Sequence, residues 1–95
     1  MNEFRVTCVI RSPADSPNHR HITHIGGAGG WTLSKNVVVS RIDAGSEAYF
    51  TVDKATGKKA YIKVVRESGQ EPYIRTIADG LWSNNLVELP SCGSD

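Results

Sequence analysis

The first apolar pattern in the chain is an alternation. Phe4, Val6, Cys8 and Ile10 are interleaved with Arg5, Thr7, Val9 and Arg11, the period-two signature of a strand with one buried face. This pattern points Cys8 inward. Ser12 to Asn18 carries Pro13 and Pro17 among small polar residues and reads as a loop. His21 to Gly26 reads as a second strand, antiparallel to the first. Its register stays open, because His21/Thr23/Ile25 and Ile22/His24 each include polar residues. Trp31 to Ser34 then looks like the start of a helix, with Thr32 or Ser34 as the capping side chain. Leu33, Val37, Val38 and Ile42 fall on one helical face, and Gly45 stands where helices commonly stop. The run Val37-Val38-Val39 keeps a strand possible over the same stretch, since β-branched side chains lose rotamer freedom in a helix.

Further along, Ala48, Phe50 and Val52 alternate with Glu47, Tyr49, Thr51 and Asp53, and the turn from Lys54 to Lys58 leads into a second inward set, Ala60, Ile62 and Val64. This is a hairpin. Ser68 to Glu71 turns the chain again into Pro72 to Ile77, which makes a meander. Ala78-Asp79-Gly80 is another turn, Leu86 to Pro90 a short apolar segment, and residues 91–95 a tail expected to fray. The architecture these patterns predict is α+β: an antiparallel sheet of about five strands with one helix packed on one face, in the order strand, strand, helix, strand, strand, strand. Residues 1–95 are expected to form one domain.

Several of these segments also occur together, in order, in a known family. They are Thr7-Cys8, His21-Ile22-Thr23-His24-Ile25-Gly26-Gly27, Trp31, the helix running to Gly45, Tyr73-Ile74-Arg75-Thr76, Ala78-Asp79-Gly80, and Asn84 to Cys92 with its Leu89-Pro90-Ser91-Cys92 ending. The chain resembles a family of short, mostly bacterial proteins known as domain of unknown function three-eight-nine-two, over nearly its whole length. The loop at Ser12 to Asn18 and the stretch Ala28-Gly29-Gly30 look like insertions relative to that family. The resemblance implies no activity.

Composition narrows the possibilities further. A chain of 95 residues buries roughly 60 to 65% of its unfolded surface, which favours a sheet covered on one face and stands against a deep enclosed active site. Its 39% hydrophobic and 22% charged residues are those of an ordinary soluble domain. Eleven Lys and Arg against ten Asp and Glu leave a formal charge of +1, so any nucleic-acid role must rest on a local patch. No apolar run is long enough to span a bilayer, and Met1 to Arg5 has no signal-peptide pattern. The expected compartment is the cytoplasm, with no membrane partner. There Cys8 and Cys92 are expected to stay reduced, with no obligatory bridge.

Candidate chemistry is sparse. On a strand, His19 and His21 would share a face while His24 points the other way, so no metal site is assigned and no cofactor is expected. The glycine-rich stretch from Gly26 to Gly30 lies between a predicted strand and the predicted helix, where the amides of Gly27, Gly29 and Gly30 are candidates for holding an anion. It has neither a Gly-Lys-Ser/Thr ending nor a Gly-x-Gly-x-x-Gly run. No nucleophile signature is present, so no catalytic residue is named.

The strongest signal is the sheet face opposite the predicted core. Tyr49, Tyr61 and Lys63 would lie there, joined by Arg5, Arg11, Tyr73 and Arg75. Rings beside cations on an open sheet are what single-stranded nucleic-acid platforms use; cross-strand pairs on a solvated face are the plainer explanation. A second cluster is expected where His24, Trp31 and Asn85 meet at sheet closure. There Asn85 would tie down the terminal segment and Trp31 anchor the helix, unless Trp31 stays exposed as a recognition anchor. The function expected from all this is a non-catalytic binding module for a protein or single-stranded nucleic acid. The alternative is a small enzyme or anion-binding accessory protein using the turn at residues 26–30.

Overall fold

A computed structural model describes residues 2–13, 16, 18–78 and 80–92. Within them the chain forms β1 (Asn2–Arg5), β2 (Cys8–Arg11), a short 3-10 turn (His19–His21), β3 (Ile22–Gly26), β4 (Thr32–Ser34), α1 (Lys35–Ala44), β5 (Glu47–Val52), β6 (Lys59–Val65), β7 (Tyr73–Ala78) and β8 (Leu81–Ser83). The strands make two sheets, a five-stranded one in the order β1-β5-β6-β7-β8 and a three-stranded one in the order β2-β3-β4. The α+β class matches expectation. The single antiparallel sheet does not, because the strands divide between two sheets and β1 runs parallel to β5.

The division begins in the first predicted strand. The Val6 amide donates to Phe50 O at 2.7 Å and the next amide, Thr7, donates to Gly26 O at 2.9 Å, so neighbouring residues belong to different sheets. The side-chain alternation shifts across this step. Val6 is 1% exposed and Val9 0%, while Cys8 and Ile10 are half-buried. A long alternating run looks the same whether it stays in one sheet or crosses between two, and only partner strands decide. In β3 a bulge opposite Ile10 and Arg11 lets Ile22 and Ile25, three apart, both reach 0% exposure, which explains why no strict alternation could be read there. His19 and His21 lie in the 3-10 turn, not on a strand.

The helix starts later than expected. Ser34 is its N-cap, its hydroxyl accepting from Val37 N at 3.4 Å, and residues 32–34 pair with β3. At the other end Gly45 adopts φ 72° and its amide bonds back to Arg41 O and Ile42 O, the left-handed cap that glycine permits. The valine run is helical, with Val38 at 0% exposed and Val37 at 38%. Val39 and Ile42 pack beside Val38 against the core. Leu33 does the same from β4.

α1 contacts β3 and β4 of the three-stranded sheet and β5, β6 and β7 of the five-stranded one. The core between them includes Val6, Val9, Ile25, Val38, Tyr49, Ile62, Ile74 and Leu86. The closing segment is anchored as far as Cys92: Val9 N bonds Pro90 O at 3.0 Å, Cys92 N bonds Val9 O at 2.9 Å, and Cys8 and Cys92 form a disulfide across 84 positions of sequence. The expected free thiols are therefore corrected. The bend at Thr7 and the Val9–Ser91 bridge bring β2 beside residues 91 and 92, a juxtaposition that sequence spacing does not reveal. The tail expected at 91–95 thus loses Ser91 and Cys92, and residues 93–95 lie outside those described.

Candidate binding face

The register of the five-stranded sheet sorts its residues into two faces, since cross-strand partners project to the same side. On the inner face Thr51 pairs with Ala60 and Ile62 with Thr76, and all four are buried. Tyr49 shares this face at 1% exposed. Its ring stacks on Phe4 at 5.8 Å and meets Trp31 at 6.4 Å, and its hydroxyl donates to Glu47. Tyr49 was expected on the open face, so the strand is turned over relative to the prediction. Both of its faces carry apolar bulk, and pairing to β1 and β6 decides between them.

The outer face is the one α1 leaves uncovered. Arg5 pairs with Phe50, Phe50 with Tyr61, Tyr61 with Ile77 and Ile77 with Trp82, so a single row of side chains crosses all five strands. At about 4.8 Å between strands the row is about 19 Å long. Phe50 and Tyr61 touch with centroids 5.9 Å apart, while Trp82 is 49% exposed at the β8 end.

Cations flank the row. Lys59 Nζ lies 4.4 Å from the Phe50 ring centre and Arg75 Cζ 5.7 Å from that of Trp82, while Lys63 pairs with Arg75 across β6 and β7. Among the described residues of the five strands, Glu3 is the carboxylate on this face. It accepts from Tyr61 OH at 3.1 Å and from Lys59 at 3.5 Å. The guanidinium of Arg75 is held in place by Ser83 O at 3.4 Å and Asn84 Oδ1 at 3.3 Å. At one corner Arg20, from the 3-10 turn, lies 4.5 Å over the Tyr73 ring. Next to it, burial first and the charge of Arg75 second hold the His19 imidazole below its ordinary value.

Of the residues expected here, Tyr61, Lys63, Arg75, Tyr73 and Arg5 share the outer face. Arg11 does not. It belongs to the three-stranded sheet, where its guanidinium donates to Leu89 O at 2.5 Å and to Val87 O, tying down the C-terminal segment. Phe50, Lys59 and Trp82 were missed. Trp82 had a legible signal, an apolar pair after the Asp79-Gly80 turn; Phe50 follows once the parity of β5 is known, and Lys59 already alternates with the inward Ala60 on β6.

His24, Trp31 and Asn85 do not form one cluster. His24 pairs with Ser34 and its Nδ1 lies 2.9 Å from Thr23 Oγ1. Trp31 joins Phe4 and Tyr49. Asn85 borders a hollow with Val52, Asp53 and Glu88, its backbone N–H donating to Ser83 Oγ at 3.4 Å.

The glycine-rich stretch also changes meaning, because it connects β3 to β4 as a hairpin and does not lead into α1. Gly29 and Gly30 take positive φ in its turn, at 96° and 81°. Gly26 and Gly27 are required by close packing. A Cβ on Gly26 would stand 2.7 Å from Trp31 O and 2.9 Å from Cys92 Sγ, and one on Gly27 would stand 2.6 Å from both Arg5 O and the Trp31 ring. Without a following helix N-terminus, the basis for placing an anion at Gly27, Gly29 and Gly30 is gone.

The molecule is thus a small two-sheet α+β protein with one sheet face left open beside an aromatic and cationic row. It belongs to the family described as Protein of unknown function (DUF3892), whose model matches residues 5–90. No curated protein and no solved structure matches the chain. Among the described residues, no helix is long and apolar enough to cross a membrane.

Proposed function

We propose that this protein is a non-catalytic binding module and that the outer face of its five-stranded sheet engages single-stranded nucleic acid. The observation that carries this reading is the row Arg5, Phe50, Tyr61, Ile77, Trp82 crossing every strand of the sheet. Rings set side by side stack bases without regard to sequence, and the flanking Lys59, Lys63 and Arg75 neutralise phosphates; sheets of comparable width stack two or three bases in this way. The near-neutral total charge is no obstacle, because among the described strand residues of this face Arg5, Lys59, Lys63 and Arg75 stand against Glu3, which Tyr61 and Lys59 already engage. The Cys8–Cys92 bond favours an oxidising compartment over the expected cytoplasm. Neither cysteine takes part in the face's chemistry.

Fluorescence anisotropy with labelled mixed-sequence single-stranded DNA and RNA tests the reading. Affinity should fall as salt rises, through counterion release. Trp82→Ala should weaken binding by about 1 to 3 kcal/mol through lost stacking while leaving the fold intact, since the indole is half in solvent. Absence of binding at low salt, or binding indifferent to Trp82, refutes the proposal; a protein retained by the same face without nucleic acid would replace it.

A further inference from the structure

On the opposite side of the sheet, the inner-face rings border a hollow of about 190 Å³ lined by Phe4, Trp31, Leu33, Tyr49, Arg41 and Glu47. Its walls are three aromatic rings in mutual contact and one leucine. With centroids 5.8 to 6.4 Å apart, the rings pack edge and face against one another as a wall, leaving no gap for a cation between them. The polar groups sit together at one end. Arg41 Nη1 donates to Glu47 Oε1 at 3.0 Å and Tyr49 OH donates to the same oxygen. Their side chains are 43% and 21% exposed for Arg41 and Glu47, so both charges reach solvent.

The geometry points to a small zwitterion with an apolar body as the ligand of this pocket. A free α-amino acid with a hydrophobic side chain has that chemistry. Its side chain would lie on the ring wall, its carboxylate on the Arg41 guanidinium and its ammonium on the Glu47 carboxylate. Three features carry the inference. The hollow is smaller than the several hundred Å³ typical of drug-sized ligands and holds the volume of about six waters, enough for one apolar side chain. The rim carries one charge of each sign, so a ligand of either single charge meets a like charge beside its partner, whereas a zwitterion converts one ion pair into two.

The third feature is that the rim is rigid. Arg41 lies in the last turn of α1 and Glu47 opens β5, and the turn between them is closed by Gly45 N to Ile42 O at 3.0 Å and Ser46 N to Arg41 O at 3.2 Å. Pre-set donors and acceptors bind with less ordering cost. The Tyr49 hydroxyl, held protonated by burial and by Glu47, donates its proton to Glu47 and orients the Glu47 carboxylate. None of these groups belongs to the outer face, so this site stands or falls separately from the nucleic-acid reading.

Titration of the intact protein, followed by two-dimensional NMR, with phenylalanine, phenethylamine and 3-phenylpropionate compares three ligands of one body and different charge. Phenylalanine should bind at least about tenfold more tightly than either analogue, with shifts centred on Trp31, Leu33 and Glu47. In Glu47→Gln the ranking should turn toward 3-phenylpropionate, and in Arg41→Met toward phenethylamine, reversals that a purely structural ion pair would not produce. Equal affinity for the three ligands, or no shifts at millimolar phenylalanine in the unaltered protein, overturns the proposal.

Discussion

Thr51 and Thr76 lie on the buried face of the five-stranded sheet, on β5 and β7, and both are 0% exposed, yet their hydroxyls are treated in opposite ways. Thr76 Oγ1 lies 2.7 Å from Ser83 Oγ and 3.3 Å from Ser83 O. Thr51 Oγ1 is buried with no hydrogen-bond partner among the described residues. Valine keeps the β-branched shape and replaces the hydroxyl with a methyl group, so the same substitution should have opposite signs at the two positions. Thr51→Val removes a buried unpaired hydroxyl, whose desolvation costs about 1 to 3 kcal/mol, and should stabilise the fold by that order. In a domain of this size each kcal/mol raises the melting temperature by roughly 4 to 8 °C.

Thr76→Val removes a made hydrogen bond and should destabilise by about 0.5 to 1.5 kcal/mol. Ser83 is only half-buried, so its freed hydroxyl can turn to water and adds little. Urea unfolding of the two variants beside the parent protein measures both effects, with an unchanged m-value confirming that the midpoints report stability. A loss of stability in Thr51→Val would show that the Thr51 hydroxyl is satisfied in the folded protein, and a gain in Thr76→Val would show that the bond to Ser83 contributes nothing to stability.

The Cys8–Cys92 bond closes a loop of 84 positions and should contribute about 4 to 5 kcal/mol by the chain-entropy estimate; an unfolding midpoint unmoved by reductant would contradict this. Gly27→Ala sets a methyl 2.6 Å from a backbone oxygen, Arg5 O, which cannot swing aside, so a loss of about 1 to 3 kcal/mol is expected from overpacking, and parent-like thermal unfolding would exclude it. The Tyr49 hydroxyl first, and then Arg41, hold the Glu47 carboxyl below its ordinary 4.5 against the opposing effect of burial. A depressed carboxylate stabilises the fold fully above its unfolded value and loses that contribution as pH falls through the folded value. Glu47→Gln should therefore flatten stability against pH below 4.5, and identical acid limbs in the two proteins would refute it.

Local rules carried the sequence reading as far as they reach. Gly45 marked the end of α1 and left its start between Thr32 and Ser34, because capping is chemistry within one turn of the chain, and pairing of residues 32–34 with β3 decided for Ser34. The turns at residues 54–58 and 68–71 delivered the β5-β6-β7 meander, since antiparallel neighbours joined by short turns need no distant information. The ordered motifs from Thr7 to Cys92 pointed to the family for the same reason. What the tertiary structure alone decided is every choice between two locally equivalent answers. The alternation from Phe4 to Ile10 fits one strand or two, and the split at Val6 and Thr7 follows from whether Phe50 or Gly26 accepts the amide. β5 is amphipathic in both directions, so only its partners β1 and β6 turn Tyr49 inward and Phe50 outward, and with that choice they set both the open aromatic row and the pocket behind it. Cys8 and Cys92 meet because Val9 pairs with the C-terminal segment. Contacts across 84 positions leave no periodicity in the sequence, and they become visible only when the chain closes on itself.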